Sequence, residues 1–263
     1  MEKSEYRKHF ELEERHWWFR GRRKILLSLL ATLPPPDRPR VWLDAGCGTG
    51  FNLTVFSRLG PACGCDYSEA ALAYCRKRGL ANLARADVQR LPFKGEAFDG
   101  ASLLDVLYHR AVTDDVAVLK EVFRTLKPGG ILLVSDSALN VLRGRHDEAF
   151  HGRERYTIKA LKKKLKAAGF DVGRASYFNF FLFPAIAAVR IGERAFAVKA
   201  SAAAPQSDLK EVARPFNIIL GAVFGVEAVL LRMLSFPVGS SVVALARKTS
   251  SEERRTSGLY EAR

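Results

Sequence analysis

From Arg40 to about Asn179 the chain alternates short apolar runs with amphipathic stretches, which predicts strand–helix repeats around a mostly parallel sheet and an α/β fold class. Strands are expected over Val41–Asp44, Ala62–Asp66, Phe98–Leu104 and Ile131–Asp136, with a short further strand ending near Asp87. Helical periodicity covers Glu69–Arg78 and Asp114–Leu126, and Lys127-Pro128-Gly129-Gly130 makes continuation of the second helix costly. Thr157 can cap a helix through Ala168, Gly169 lies past its end, and Phe170–Phe178 reads as another strand.

The flanks break this rhythm. Residues 1–39 are charged, contain His16-Trp17-Trp18-Phe19-Arg20, and end in Pro34-Pro35-Pro36, a stiff connector. They are expected to form a helical lid and linker ahead of a core made of residues 40–178 and 239–248. Between the two parts of the core, residues 179–238 hold two greasy runs, Phe180–Val189 and Phe216–Leu234, around a polar stretch at Ser201–Lys210. An excursion of that length between adjacent strands usually carries function. The second run nearly reaches the ~20 apolar residues needed to cross a bilayer, but Glu227 and Arg232 interrupt it and Pro184 breaks the first. Ser240–Ala246 reads as a last strand, and residues 249–263 as a frayed charged tail.

Composition narrows the classes. Of 263 residues 48% are apolar and 27% charged, which supports a packed core and excludes wholesale disorder, collagen, coiled coil and a polytopic membrane protein. Lysine and arginine exceed acids by 42 − 28 = 14, so an anionic partner is expected: nucleic acid, an acidic lipid surface or a phosphorylated substrate. The start, Met1-Glu2-Lys3-Ser4-Glu5, lacks the apolar core of a secretory signal, and four cysteines do not make a disulfide scaffold. A cytoplasmic location follows as the expectation, peripheral at the inner membrane face if the greasy runs meet lipid. Cys63 and Cys65 lie on one probable strand and read as buried free thiols, so no metal site is expected there.

The sharpest motif is Val41-Trp42-Leu43-Asp44-Ala45-Gly46-Cys47-Gly48-Thr49-Gly50, a strand running into a loop with glycine at every second position. Such a loop lets a ligand approach the backbone and frees the N–H groups that open the next helix. The dinucleotide fingerprint would place its third glycine at Phe51, where a bulky ring stands instead. Asp66 ends the second strand, where a carboxylate can accept from both ribose hydroxyls, and Asp87 is placed to meet an adenine amino group. With Asp44, three carboxylates at strand ends suit a cationic ligand and oppose a pyrophosphate.

These residues, with Phe98-Asp99, Asp105-Val106-Leu107-Tyr108-His109 and Leu126-Lys127-Pro128-Gly129-Gly130, resemble the class I S-adenosylmethionine-dependent methyltransferases. The ends resemble a bacterial subgroup, methyltransferase type 11/12-like, through Trp17-Trp18-Phe19-Arg20-Gly21-Arg22-Arg23, His151, the run Arg153 to Thr157 and Pro237-Val238-Gly239-Ser240-Ser241. The resemblance implies a Rossmann-like seven-stranded sheet with an antiparallel last strand. It implies S-adenosylmethionine as cofactor, held by Asp44, Gly46, Cys47, Gly48, Gly50, Asn52, Asp66, Tyr67, Asp87, Val88, Leu104 and Asp105. Trp18 with Arg20 or Arg23 would close over it from the lid, the arginine reaching the cofactor carboxylate; the bland alternative is an amphipathic helix covering the sheet edge.

Methyl transfer from a sulfonium is an in-line displacement in which positioning supplies most of the catalysis, so no triad is expected. Candidate catalytic groups are Tyr108, His109, His151 and Tyr156, each weighed against a structural role. Leu104–His109 lacks the Asn/Asp-Pro-Pro-aromatic sequence of amino-methylation on nucleic acid bases, and no Pro-Cys dipeptide serves cytosine carbon methylation. Nucleic acid is therefore disfavoured as a partner. The expected acceptor is small, hydrophobic or linked to lipid or sugar, with residues 179–238 meeting an anionic membrane, lining an acceptor pocket or forming a homodimer. The alternatives left open are an NAD-dependent oxidoreductase and a cofactor-binding adaptor without turnover.

Overall fold

The computed structural model describes residues 3–196 and 211–249. The predicted tail beyond Thr249 and the polar stretch Ser201–Lys210 lie outside them. Seven strands form one sheet: β1 (Trp42–Ala45), β2 (Ala62–Asp66), β3 (Leu83–Arg85), β4 (Phe98–Leu104), β5 (Leu126–Ser137), β6 (Phe170–Phe178) and β7 (Ser241–Lys248). Their order is β3-β2-β1-β4-β5-β7-β6, and β7 runs antiparallel to both β5 and β6. This is the Rossmann-like seven-stranded arrangement that the sequence implied. Every residue of β1 is buried, as a central parallel strand covered on both faces requires.

The helices are α1 (Lys3–Leu12), α2 (Trp17–Leu30), α3 (Phe51–Phe56), α4 (Glu69–Lys77), α5 (Asp115–Thr125), α6 (Arg145–Ala149), α7 (Ile158–Ala167), α8 (Phe183–Phe196) and α9 (Arg214–Leu230). Ser68, Asp114 and Thr157 cap α4, α5 and α7 through side-chain oxygens. Two local expectations change. The strand β5 starts at Leu126, before Lys127-Pro128-Gly129-Gly130, because Leu126 pairs with Phe98 and the register then shifts, the kind of irregularity that accommodates proline and a glycine at φ +75°. Pro184 does not break the first greasy run; it is the second residue of α8, where its missing N–H costs nothing.

The insertion packs onto the N-terminal lid. The helices α2 and α9 run parallel, with Trp17 N donating to Asn217 Oδ1 at 2.7 Å at one end and Arg232 Nε donating to Ser28 Oγ at 2.8 Å at the other. Gly21 makes the contact close: a Cβ there would lie 2.4 Å from the ring of Phe224, which is itself edge-on to Trp17 and Trp18. Glu227, the one acid of α9, is fully buried and accepts the N–H groups of Asn179 and Phe180 where β6 ends. The same carboxylate that makes a bilayer crossing costly thus ties the insertion to the sheet. Gly21→Val should drive a methyl-bearing side chain into Phe224 and lower the unfolding free energy by about 1–3 kcal/mol, read as a lower denaturant midpoint with an unchanged slope.

Candidate active site

The strand order reverses between β1 and β4, so their carboxyl ends border the crevice where open α/β sheets bind ligands. Three hydrogen-bonded groups set the loop after β1. Trp42 Nε1 donates to Ser102 Oγ at 3.1 Å, and Ser102 Oγ donates to Asp44 Oδ1 at 2.6 Å. Gly46 (φ +79°) faces Val106, whose methyl would lie 2.5 Å from any Cβ, so only glycine fits. A Cβ on Gly48 (φ +56°) would meet nothing within 4 Å, which leaves a cradle beside the backbone. Across it Asp66 accepts Gly48 N–H at 2.9 Å and Ser68 N–H at 2.8 Å. Burial pushes the Asp66 carboxyl upward and those two donors pull it back.

The resulting cavity holds about 1190 Å³. Gly46, Cys47, Gly48, Asn52, Asp66 and Tyr67 line it from the β1 and β2 side, and Asp87, Val88, Leu104, Asp105 and Trp18 complete the expected cofactor half. Asp44 and Gly50 do not line it. Asp44 lies buried behind the loop, where burial and the carboxylates Asp66 and Glu13 push its pKa up to about 7 against the pull of Ser102 and Arg22. Its Oδ2 has no hydrogen-bond partner among the described residues. Gly50 instead starts α3 with φ +87°, a Cβ there falling 2.8 Å from Cys75 Sγ. Phe51, at the missing glycine, turns its ring beneath the guanidinium groups of Arg23 and Arg78 at 4.2 and 5.0 Å and leaves the cavity clear.

The lid contributes a different arginine from the expected pair. Arg20 is exposed on the outer side of α2, and Arg23 is held over Phe51, so neither lines the cavity. Arg22, four residues after Trp18 and so on the same helix face, is buried and pairs with Asp105 at the tip of β4. Its Nε is a second buried atom without a described partner, and burial lowers its pKa despite Glu13, Asp44 and Asp136. Asp105 adopts φ +57°, a strained conformation for a non-glycine residue and one that accumulates at functional sites. Asp136, fully buried at the end of β5, accepts the N–H groups of Leu107 and Tyr108 at 3.2 and 3.3 Å and so fixes this turn. Tyr6, His9 and Glu13 of the N-terminal segment also line the cavity, and none of these was singled out by motif.

The other half of the cavity is built from the turn after β4 and the irregular segment before α7. Arg110 N donates to His151 O at 2.8 Å and Arg153 N to Tyr108 O at 2.6 Å, which brings Tyr108, His109 and His151 together, the two imidazoles 5.7 Å apart. Leu142, Phe150, Ile186 and Val189 add apolar walls, with Arg155 and Arg190 among them. Tyr156 is not part of the site: it is fully buried and donates to Asp115 Oδ2 at 2.8 Å, where Arg153 and Lys164 also converge. Among the described residues no group of three or more His, Cys, Asp or Glu side chains is arranged to hold a metal.

Residues 43–134 match the family model of the methyltransferase domain. The chain carries a methyltransferase domain there and is similar to S-adenosylmethionine-dependent enzymes. It is 31% identical over 166 residues to a Mycolicibacterium smegmatis protein described as "Probable S-adenosylmethionine-dependent methyltransferase", covering 61% of this chain and 62% of that one. It is 36% identical over 112 residues to the Arabidopsis thaliana tRNA (carboxymethyluridine(34)-5-O)-methyltransferase, covering 41% of this chain and 26% of the relative. The chain therefore matches less than two thirds of either curated relative. A structure of the Haloferax volcanii Trm112 methyltransferase activator in complex with a methyltransferase aligns with a TM-score of 0.61 at 16% identity, covering 94% of this chain and 96% of that one, which supports the fold alone.

The site fits the cofactor of this class. The Gly48 cradle, the acceptor Asp66, the Arg22 guanidinium at the cavity wall and the field of Asp44 behind the loop suit a cationic nucleoside with an amino-acid end. Asp66→Ala should weaken S-adenosylhomocysteine binding about 100-fold or more in a calorimetric titration while the thermal unfolding transition remains cooperative. Asp44 supplies a pH test. A bound cation favours its ionised form, so affinity for S-adenosylmethionine should rise as pH increases through about 7 and then level off. Asp44→Asn should remove most of that slope, leaving what Glu13 and Asp66 contribute.

Proposed function

We propose that the chain transfers the methyl group of S-adenosylmethionine to a small, largely apolar acceptor bound beside His109 and His151. The observation that supports this is the size and lining of one cavity. At about 1190 Å³ it exceeds the roughly 300–1,000 Å³ of a pocket for a single small ligand, and its second half is walled by Leu142, Phe150, Ile186 and Val189. When bound, the cofactor supplies a methyl group already activated by a positively charged sulfur. The chain's own task is then to align the acceptor, keep water out and handle one proton where the acceptor carries it. Trp17, Trp18 and Phe19 of α2 line the cavity and exclude water, and the turn fixed by Asp136 sets the acceptor's approach.

The candidate proton acceptors separate by environment. Burial holds Tyr108 and Tyr156 as neutral phenols at physiological pH. Burial, with His151 and Arg110 nearby, lowers His109 to about 4, so its ring is neutral. Its Nδ1 accepts Ala111 N–H at 3.1 Å, which places the ring proton on Nε2 and makes His109 a hydrogen-bond donor to the acceptor. His151 remains as the base. His151→Asn should lower turnover by about 10²–10⁴ for an acceptor that must lose a proton, with S-adenosylhomocysteine affinity unchanged.

A nucleic acid acceptor is the second reading, favoured by the surplus of 14 positive charges and by the carboxymethyluridine relative. The missing signatures of amino-methylation and of cytosine carbon methylation speak only to nitrogen and carbon methylation of bases, and that relative is named for methylation at oxygen. Incubation with isotopically labelled S-adenosylmethionine, total tRNA and an organic extract of cells decides. Label is expected in extractable small molecules, and label retained in tRNA would replace this proposal.

A further inference from the structure

From the exterior of the α2–α9 pair we infer that this face seats the chain on an anionic phospholipid bilayer. The helix α9 turns Phe216, Ile219, Val226 and Val229 to solvent at helical spacing, and the stripe continues into Met233, 80% exposed. Phe181 is half-exposed just before α8, where exposed Val189 also lines the cavity. An apolar stripe of this extent facing water marks a docking surface.

Charge selects the occupant. Arg20 and Lys24 are exposed on α2 beside the stripe, Arg214 stands at the start of α9, and Arg232 and Arg174 lie at its end, with Arg174 donating to the carbonyl of Arg232. The helix α2 contains no acid, and the one acid of α9, Glu227, is turned inward and fully buried. Glu211, just before α9, is already paired with Arg15. A second copy of this chain would set these cations against one another, whereas anionic headgroups answer them while acyl chains receive the stripe. No described helix is long and apolar enough to cross a membrane, so the pair lies on the surface. This docking does not depend on the identity of the acceptor.

The test is cosedimentation of the full chain with phosphatidylcholine vesicles, with and without phosphatidylglycerol. Binding is expected only to the anionic vesicles, with a loss of tenfold or more between low and high salt. Lys24→Glu with Arg214→Glu should reduce partition about 10- to 30-fold at low salt. Ile219→Glu with Met233→Glu should abolish it, while titration with S-adenosylhomocysteine in the same variant shows the fold and cofactor site retained. Failure to bind anionic vesicles overturns the inference, as does binding unchanged in both variants. A solution dimer dispersed by Ile219→Glu with Met233→Glu, without vesicle binding, would assign the face to self-association instead. None of these outcomes moves the methyl-transfer assay, so the two proposals fail separately.

Discussion

Arg22 is the group on which the site depends. A guanidinium removed from water is costly unless carboxylates surround it, and here Asp105 pairs with it while Glu13, Asp44 and Asp136 add their field. The carboxylates depend on it in turn, since burial pushes Asp44 and Asp136 upward and Arg22 pulls both back. The ion pair joins α2 to the tip of β4 and so couples that helix to the turn that carries Tyr108 and His109. Arg22 Nε and Asp44 Oδ2 have no hydrogen-bond partner among the described residues.

A second anchor works on the acceptor side. Asp115, at the start of α5, receives Tyr156, Arg153 and Lys164, while Arg155 clamps Asp147 at 2.7 and 3.1 Å and the carbonyl of Ala138 at 3.0 Å. Polar bonds of this kind fasten the stretch from Ala138 to Thr157, whose one α-helix, α6, is five residues long. They hold His151, at φ +56°, against the turn that carries His109. The two halves of the cavity are thus organised by different physics: glycine geometry on the cofactor side and buried ion pairs on the other.

That difference explains what was legible in the sequence. Glycine at alternate positions, Asp66 at a strand end and the apolar strands each report a local requirement, so the sheet and the part of the cavity lined by Gly46, Gly48 and Asp66 could be read directly. Asp44 was assigned to the cavity because a motif gives no depth, and it stands one layer behind. Arg22 was overlooked in favour of Arg20 and Arg23, although spacing from Trp18 to Ile25 and Leu29 puts position 22 on the inward face. Tyr156 and Asp136 were misjudged or missed for another reason: their partners, Asp115 for the one and the backbone of Leu107 and Tyr108 for the other, are remote in sequence.

The parallel run of α2 beside α9 has a kinetic consequence. Trp17 and Asn217 are 200 positions apart, as are Ser28 and Ala228, so the roof over the crevice is closed by contacts of extreme sequence separation. The ribosome must release nearly the whole polypeptide before the first helices find their partner. Until then Trp17 and Trp18 lack their contact with Phe224, and loop-closure entropy places this step late in folding. The nucleoside crevice can therefore be shaped well before it is roofed, and nascent chains stalled upstream of α9 would expose an aromatic surface that chaperones recognise.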